Sequence, residues 1–64
     1  LSLVTRREME VLSLIARGAT NAEIAADMVI AETTVKTHVS ALMSKLAARD
    51  RVALVLLAQR AGVA

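Results

Sequence analysis

The sequence predicts an all-α fold, a compact domain of four short helices. Three observations carry this. No Pro and only two Gly occur in 64 residues, so the chain lacks the breakers that separate many short strands. Apolar residues recur at spacings of three and four, the period of a helix with one buried face. Two Thr-x-x-Glu segments, Thr5–Glu8 and Thr20–Glu23, have the form of capping boxes, in which each residue satisfies a backbone N–H of the other.

The first helix opens at Thr5, its N-cap, with Val4 and Met9 placed as a hydrophobic staple. Met9, Leu12, Ile15 and Ala16 share its inner face. Arg17 is expected in the last turn, where a cation suits the helix dipole, and Gly18 as the left-handed stop. A second, short helix starts at Thr20 and runs to about Met28, with Ile24, Ala25 and Met28 inward. Val29, Ile30 and Ala31 break the rhythm and read as a tight turn. A third helix spans about Glu32 to Leu46, with Val35, Val39, Leu42 and Leu46 in one apolar stripe. Thr33, Lys36, Thr37, Ser40 and Ser44 lie opposite, and Thr34, His38 and Lys45 lie on a flank. Asp50 caps a fourth helix, Arg51 to Ala61, which Gly62 closes. Leu54, Leu57, Ala58 and Ala61 form one apolar face of it. Val52, Val55 and Leu56, with Gln59 beside them, form a second. A surface helix needs only one buried face, so the second predicts a partner, most simply another copy of this chain.

Composition bounds the function. With no Cys, disulfides and thiolate metal sites are excluded. A chain that is 56% hydrophobic is not a disordered tail. The longest apolar run, residues 52–58, is far short of the roughly 20 residues of a membrane span, and no stretch reads as a signal peptide. The chain begins at Leu1, so it is expected to be cut from a longer protein. Residues 1–30 carry a net charge of −1 and residues 31–64 a net +3, a bias compatible with a polyanionic partner.

Catalysis is not expected. The single His38 has no orienting partner in the pattern, Glu8 and Glu10 face different ways on a helix, and no glycine-rich phosphate loop occurs. No metal and no cofactor is expected either. A short helix, a tight turn and a longer helix with a polar outer face form a helix-turn-helix, whose second helix enters the DNA major groove. Lys36 can donate to guanine O6 and N7. Thr33, Thr37 and Ser40 are small enough to let the helix sit deep and can meet base edges. Thr34, His38 and Lys45 on the flank, with Thr20 and Asn21 on the preceding helix, are placed to reach phosphates. On pattern alone, the same polar face also fits one that is merely solvated.

The segments Thr5-x-Arg7-Glu8-x-Glu10-Val11-Leu12, Thr20-Asn21-x-Glu23-Ile24-Ala25, Thr34-Val35-Lys36-Thr37-His38-Val39-Ser40 and Arg49-Asp50-Arg51-Val52 together resemble the LuxR-type helix-turn-helix domain of the NarL/FixJ group. The match runs through essentially the whole of 1–64 without gaps. The resemblance implies a four-helix DNA-binding domain of a bacterial transcription regulator, expected at the C-terminus behind a receiver or sensor domain. It implies base contacts at Thr33, Lys36, Thr37 and Ser40 and phosphate contacts at Asn21, Thr34 and Lys45. It implies a homodimer on DNA through the fourth helix at Val52, Leu56 and Gln59. A cytoplasmic, nucleoid-associated location follows, and RNA polymerase is admitted as a further partner. Ala31 departs from the family, which usually has Ser at this cap. Arg6 replaces a frequent Pro, and the small Thr33 and Thr37 shift base readout toward Lys36 and DNA shape.

Two alternatives stand beside this. A sigma-factor promoter-reading helix-turn-helix shares the Thr-x-Arg-Glu opening, but generally has a longer segment between its first two helices than Gly18-Ala19-Thr20. A helical protein-interaction module would leave the polar face of the third helix solvated and show no DNA affinity.

Overall fold

The computed structural model describes residues 3–63. It has four helices in this order: α1 Arg6–Ala16, α2 Asn21–Met28, α3 Glu32–Lys45 and α4 Arg51–Arg60. No strand occurs among the described residues. α1 lies centrally and packs on both α3 and α4, while α2 packs mainly on α3.

Both predicted capping boxes form. Glu8 N–H donates to Thr5 Oγ1 at 3.1 Å and Thr5 N–H to Glu8 Oε1 at 2.9 Å. Glu23 N–H donates to Thr20 Oγ1 at 3.1 Å and Thr20 N–H to Glu23 Oε1 at 2.8 Å. Asp50 caps α4 by accepting from Ala53 N–H at 2.8 Å. The first turn of α3 differs, because Ala31 has the extended backbone of a cap but no side chain to accept with. Replacing such an acceptor by Ala ordinarily costs about 1 kcal/mol. Ala31→Ser is therefore expected to stabilise the fold by about 1 kcal/mol. That corresponds to a rise in Tm of roughly 4–8 °C in a thermal melt.

All four helices end alike. The chain turns through a left-handed residue, and the next N–H reaches back to a carbonyl five positions earlier: Ala19 to Leu14, Ile30 to Ala25, Ala48 to Met43 and Val63 to Ala58, at 2.9–3.1 Å. This is the Schellman arrangement. Gly18 and Gly62 supply the left-handed residue at two ends, as predicted. At the other two it is Val29 (φ 55°) and Ala47 (φ 53°). A Cβ there costs on the order of 1 kcal/mol, more for a β-branched side chain. Val29 recovers none of this by burial, being 88% exposed. This left-handed residue makes the tight turn predicted at 29–31 and sets α3 against α2.

The core is wholly aliphatic. Leu12, Ile15, Ile24, Leu42, Leu54, Val11 and Val35 are its largest fully buried members, closed by Ala16, Ala25, Ala48 and Ala58. Three expectations need correction. Val11 is buried while Met9 is only partly so, because α1 faces two helices and needs a wider stripe than one partner requires. Arg17 is the residue that caps α1, beyond its last turn. On α4, only Leu54 and Ala58 are buried; Leu57 and Ala61 are exposed. Only α1 packs extensively on α4, so a narrow stripe suffices there. None of the described helices is long and apolar enough to cross a membrane.

Candidate nucleic-acid interface

The outer face of α3 stands free, as its periodicity predicted. Thr33, Lys36, Thr37, Ser40 and Ser44 are all exposed, with Val35, Val39 and Leu42 buried beneath them. Among the described residues Lys36 forms no ion pair. Glu32 is the one carboxylate of the helix. The Thr37 hydroxyl donates to Thr33 O at 3.1 Å. That bond uses its only donor and leaves its oxygen lone pairs and its methyl to the outside. At the uncapped start of α3, Thr34 and Val35 N–H both donate to Ala31 O, at 3.0 and 3.2 Å. On the flank, Thr34 is exposed and His38 half-buried.

The other phosphate candidates are engaged within the protein in ways that spacing could not show. Lys45 reaches across to α1, where its Nζ lies 2.7 Å from Glu8 Oε1. A phosphate role for Lys45 must compete with that carboxylate. Asn21 Oδ1 accepts from Arg51 Nη1. Thr20 uses its hydroxyl oxygen as an acceptor in the capping box, which leaves its O–H free to donate outward.

Glu8 does two jobs and is 6% exposed. Its carboxylate completes the cap of α1 and anchors the end of α3. The Lys45 ammonium hydrogen bond, and then the Thr5 N–H bond, hold its carboxyl below the usual glutamate range. A carboxylate whose pKa falls on folding stabilises the native state above the unfolded value of about 4.3 and loses that contribution as pH falls through the folded value. Glu8→Gln is therefore expected to lower Tm at neutral pH. The gap to the parent should close as pH drops below the glutamate range. A gap that is constant with pH would remove the ion pair as its cause.

On α4, Val52 is 68% exposed and Leu56 48%, with exposed Gln59 beside them. Val55 is half-buried and packs against the core, so it contributes less to the outer face than the wheel predicted. Leu57, 37% exposed, instead adds to the apolar surface of this helix. An open groove of about 610 Å³ between α1 and α2 lies apart from all of this. Val4, Met9, Leu14 and Met28 line it, and none of the α3 or α4 candidates does.

Sequence reasoning gave no role to Arg51 and only a capping role to Glu8. Their partners lie 30 to 37 residues away along the chain, and no local pattern encodes such pairs. The one sequence hint was Arg51 itself, a cation in the first turn of a helix, where the dipole disfavours it.

The sequence that builds this arrangement is similar to those of known proteins. Residues 2–58 match the family described as bacterial regulatory proteins, luxR family. The chain is 58% identical over 48 residues to the uncharacterized transcriptional regulatory protein YhcZ of Bacillus subtilis, covering 75% of this chain and 22% of that protein. It is 52% identical over 56 residues to the response regulator protein VraR of Staphylococcus aureus, covering 88% of this chain and 27% of that protein. The VraR of Staphylococcus epidermidis matches to the same extent. The chain thus spans about a quarter of the length of these relatives. With its four helices, its helix-turn-helix and a match through residues 2–58, it belongs to the luxR family of bacterial regulatory proteins.

Proposed function

We propose that this chain reads double-stranded DNA sequence-specifically as the output unit of a response regulator, with α3 in the major groove. One observation carries the reading: α3 presents an exposed face of small hydroxyl side chains around Lys36, which makes no ion pair among the described residues, backed by a buried aliphatic stripe. A helix with such a face can approach base edges closely, and a lysine can donate to guanine O6 and N7. Thr33, Thr37 and Ser40 flank that donor. Thr20, Asn21, Thr34 and His38 contact the backbone on either side, with Lys45 contributing only in so far as it leaves Glu8. The names of the relatives, a transcriptional regulatory protein and a response regulator, support the regulatory role; a cytoplasmic nucleoid location and an upstream receiver or sensor domain belong to the same proposal. Binding rather than catalysis is the activity, with RNA polymerase a further partner in transcription.

Two copies bind together through α4, at Val52, Leu56 and Gln59, with Val55 at the edge. The exposed apolar patch is a few side chains wide, far below a standard stable interface. The chain alone is therefore expected to sediment as a monomer and to pair only on DNA. A tight dimer at nanomolar concentration without DNA would contradict this.

The test of the whole reading is selection of bound duplexes from a random DNA pool, followed by affinity measurements across a salt series. A two-fold or tandem half-site is expected. The logarithm of affinity should fall with that of salt by about 0.9 per phosphate neutralised by a cationic side chain. Absence of any salt-sensitive DNA binding would leave α3 as a solvated face and favour the interaction module.

A further inference from the structure

Arg51 opens α4, yet its side chain belongs to the start of α2. Its Nη2 donates to Ala19 O at 2.7 Å and its Nη1 to Asn21 Oδ1. These acceptors lie on either side of Thr20, the N-cap of α2. A cation in the first turn of a helix works against the dipole of that helix. These two bonds to another part of the fold are what the position gains in return. Arg51 makes no ion pair among the described residues. The nearest acidic group in the chain pattern of α2 is Glu23, whose carboxylate is held by Thr20 N–H.

The Asn21 bond has a directional consequence. Guanidinium has five donors and no acceptor. Only the oxygen of the Asn21 amide can face it. The amide is therefore fixed in one of its two flips, with Nδ2 and its two N–H donors turned away from Arg51. Asn21 is half-buried, so those donors are held at the surface rather than left to rotate in solvent. We propose that Arg51 is a positioning residue for DNA backbone binding: it fixes the Asn21 amide with its donors toward a phosphate and so ties the helix that carries Val52 and Leu56 to the entry of the helix-turn-helix. This rests on the DNA-binding reading above. Arg51 acts through Asn21, and the planar fork, rather than the charge alone, sets the geometry.

The test uses the 64-residue chain and a short duplex of random sequence, with affinity measured across a salt series. Asn21→Ala should lower affinity several-fold across the whole salt series with the slope nearly unchanged, since a neutral amide that binds a phosphate releases no counterion. Arg51→Ala should lower affinity at least as much, and the double variant should lose no more than Arg51→Ala alone, since both remove one contact. Arg51→Lys keeps the charge but not the fork and should not restore the affinity. Asn21→Asp separates folding from binding, because it keeps the acceptor for Arg51 and removes the donors. Its Tm should hold or rise while DNA affinity falls. Additive losses in the double variant, full rescue by lysine, or an unchanged affinity in Asn21→Ala would each overturn the proposal. If Arg51→Ala fails to fold, the Asn21 variants and Arg51→Lys still decide it. If the parent chain itself shows no salt-sensitive binding, the failure lies in the DNA-binding reading and not in Arg51.

Discussion

Lys36→Ala is expected to remove specific DNA recognition while leaving the fold and most non-specific binding in place. A bidentate contact to a base edge carries about 1–3 kcal/mol of discrimination. Two chains on a two-fold site lose this twice, about 2–6 kcal/mol, or roughly 30-fold to 10⁴-fold in affinity. Specific sites are typically bound about 10³- to 10⁷-fold more tightly than random DNA. The loss therefore removes much of the margin. Nothing in the structure offsets it, because Thr33, Thr37 and Ser40 carry no charge and Lys36 is the one cation of the exposed face of α3. Folding is unaffected, since Lys36 is exposed and makes no ion pair among the described residues. The check is anisotropy on the selected duplex beside a scrambled one. A base-reading lysine collapses the ratio between the two affinities. A phosphate-binding lysine would lower both alike and reduce the salt slope by about one, and that outcome would sink the assignment.

How much of this was legible in the sequence follows from the range of each interaction. The capping boxes at Thr5 and Thr20 are completed within three residues, so a short window contains all of their chemistry. The stripe of α3 and its polar outer face follow from one angle per residue. They came out as expected, with Val35, Val39 and Leu42 inward and Thr33, Lys36, Thr37 and Ser40 outward. Periodicity also says which way a side chain points, but not what lies there. Val11 is buried because α1 packs against more than one helix and needs a wider stripe, while Leu57 stays exposed on α4, which packs extensively on α1 alone. The left-handed turns at Val29 and Ala47 were hidden for a different reason. The arrangement that ends a helix is read from its glycine, and here the tertiary fold imposes it on residues that resist it. The bonds from Lys45 to Glu8 and from Arg51 to Asn21 join segments distant in sequence. They turn two residues assigned to phosphate by helical position into residues whose first partners are within the protein.

The same helix gives the second large effect. Leu42→Ala is expected to bring the domain to the edge of unfolding at 25 °C. Leu42 is fully buried on α3, on the side opposite the exposed polar face, in a core with no aromatic ring. Truncating a buried leucine costs about 2–5 kcal/mol, the higher end where the site cannot collapse. The core it belongs to includes Ala16, Ala25, Ala48 and Ala58, which have no rotamers with which to fill a void. At about 0.05–0.15 kcal/mol per residue, a domain of this size has a total stability of only about 3–10 kcal/mol. Urea titration should show the midpoint falling with an unchanged slope. This variant and Lys36→Ala then separate cleanly. DNA binds the folded form alone, so duplex at about 100 times the dissociation constant adds roughly 2.7 kcal/mol to folding. Saturating DNA should restore helicity to Leu42→Ala, whose recognition face is intact once folded. Lys36→Ala has no folding defect to restore, and its lost discrimination persists at any DNA concentration. If Leu42→Ala bound its duplex with wild-type stability and affinity, the aliphatic stripe would not be the support on which the recognition face depends.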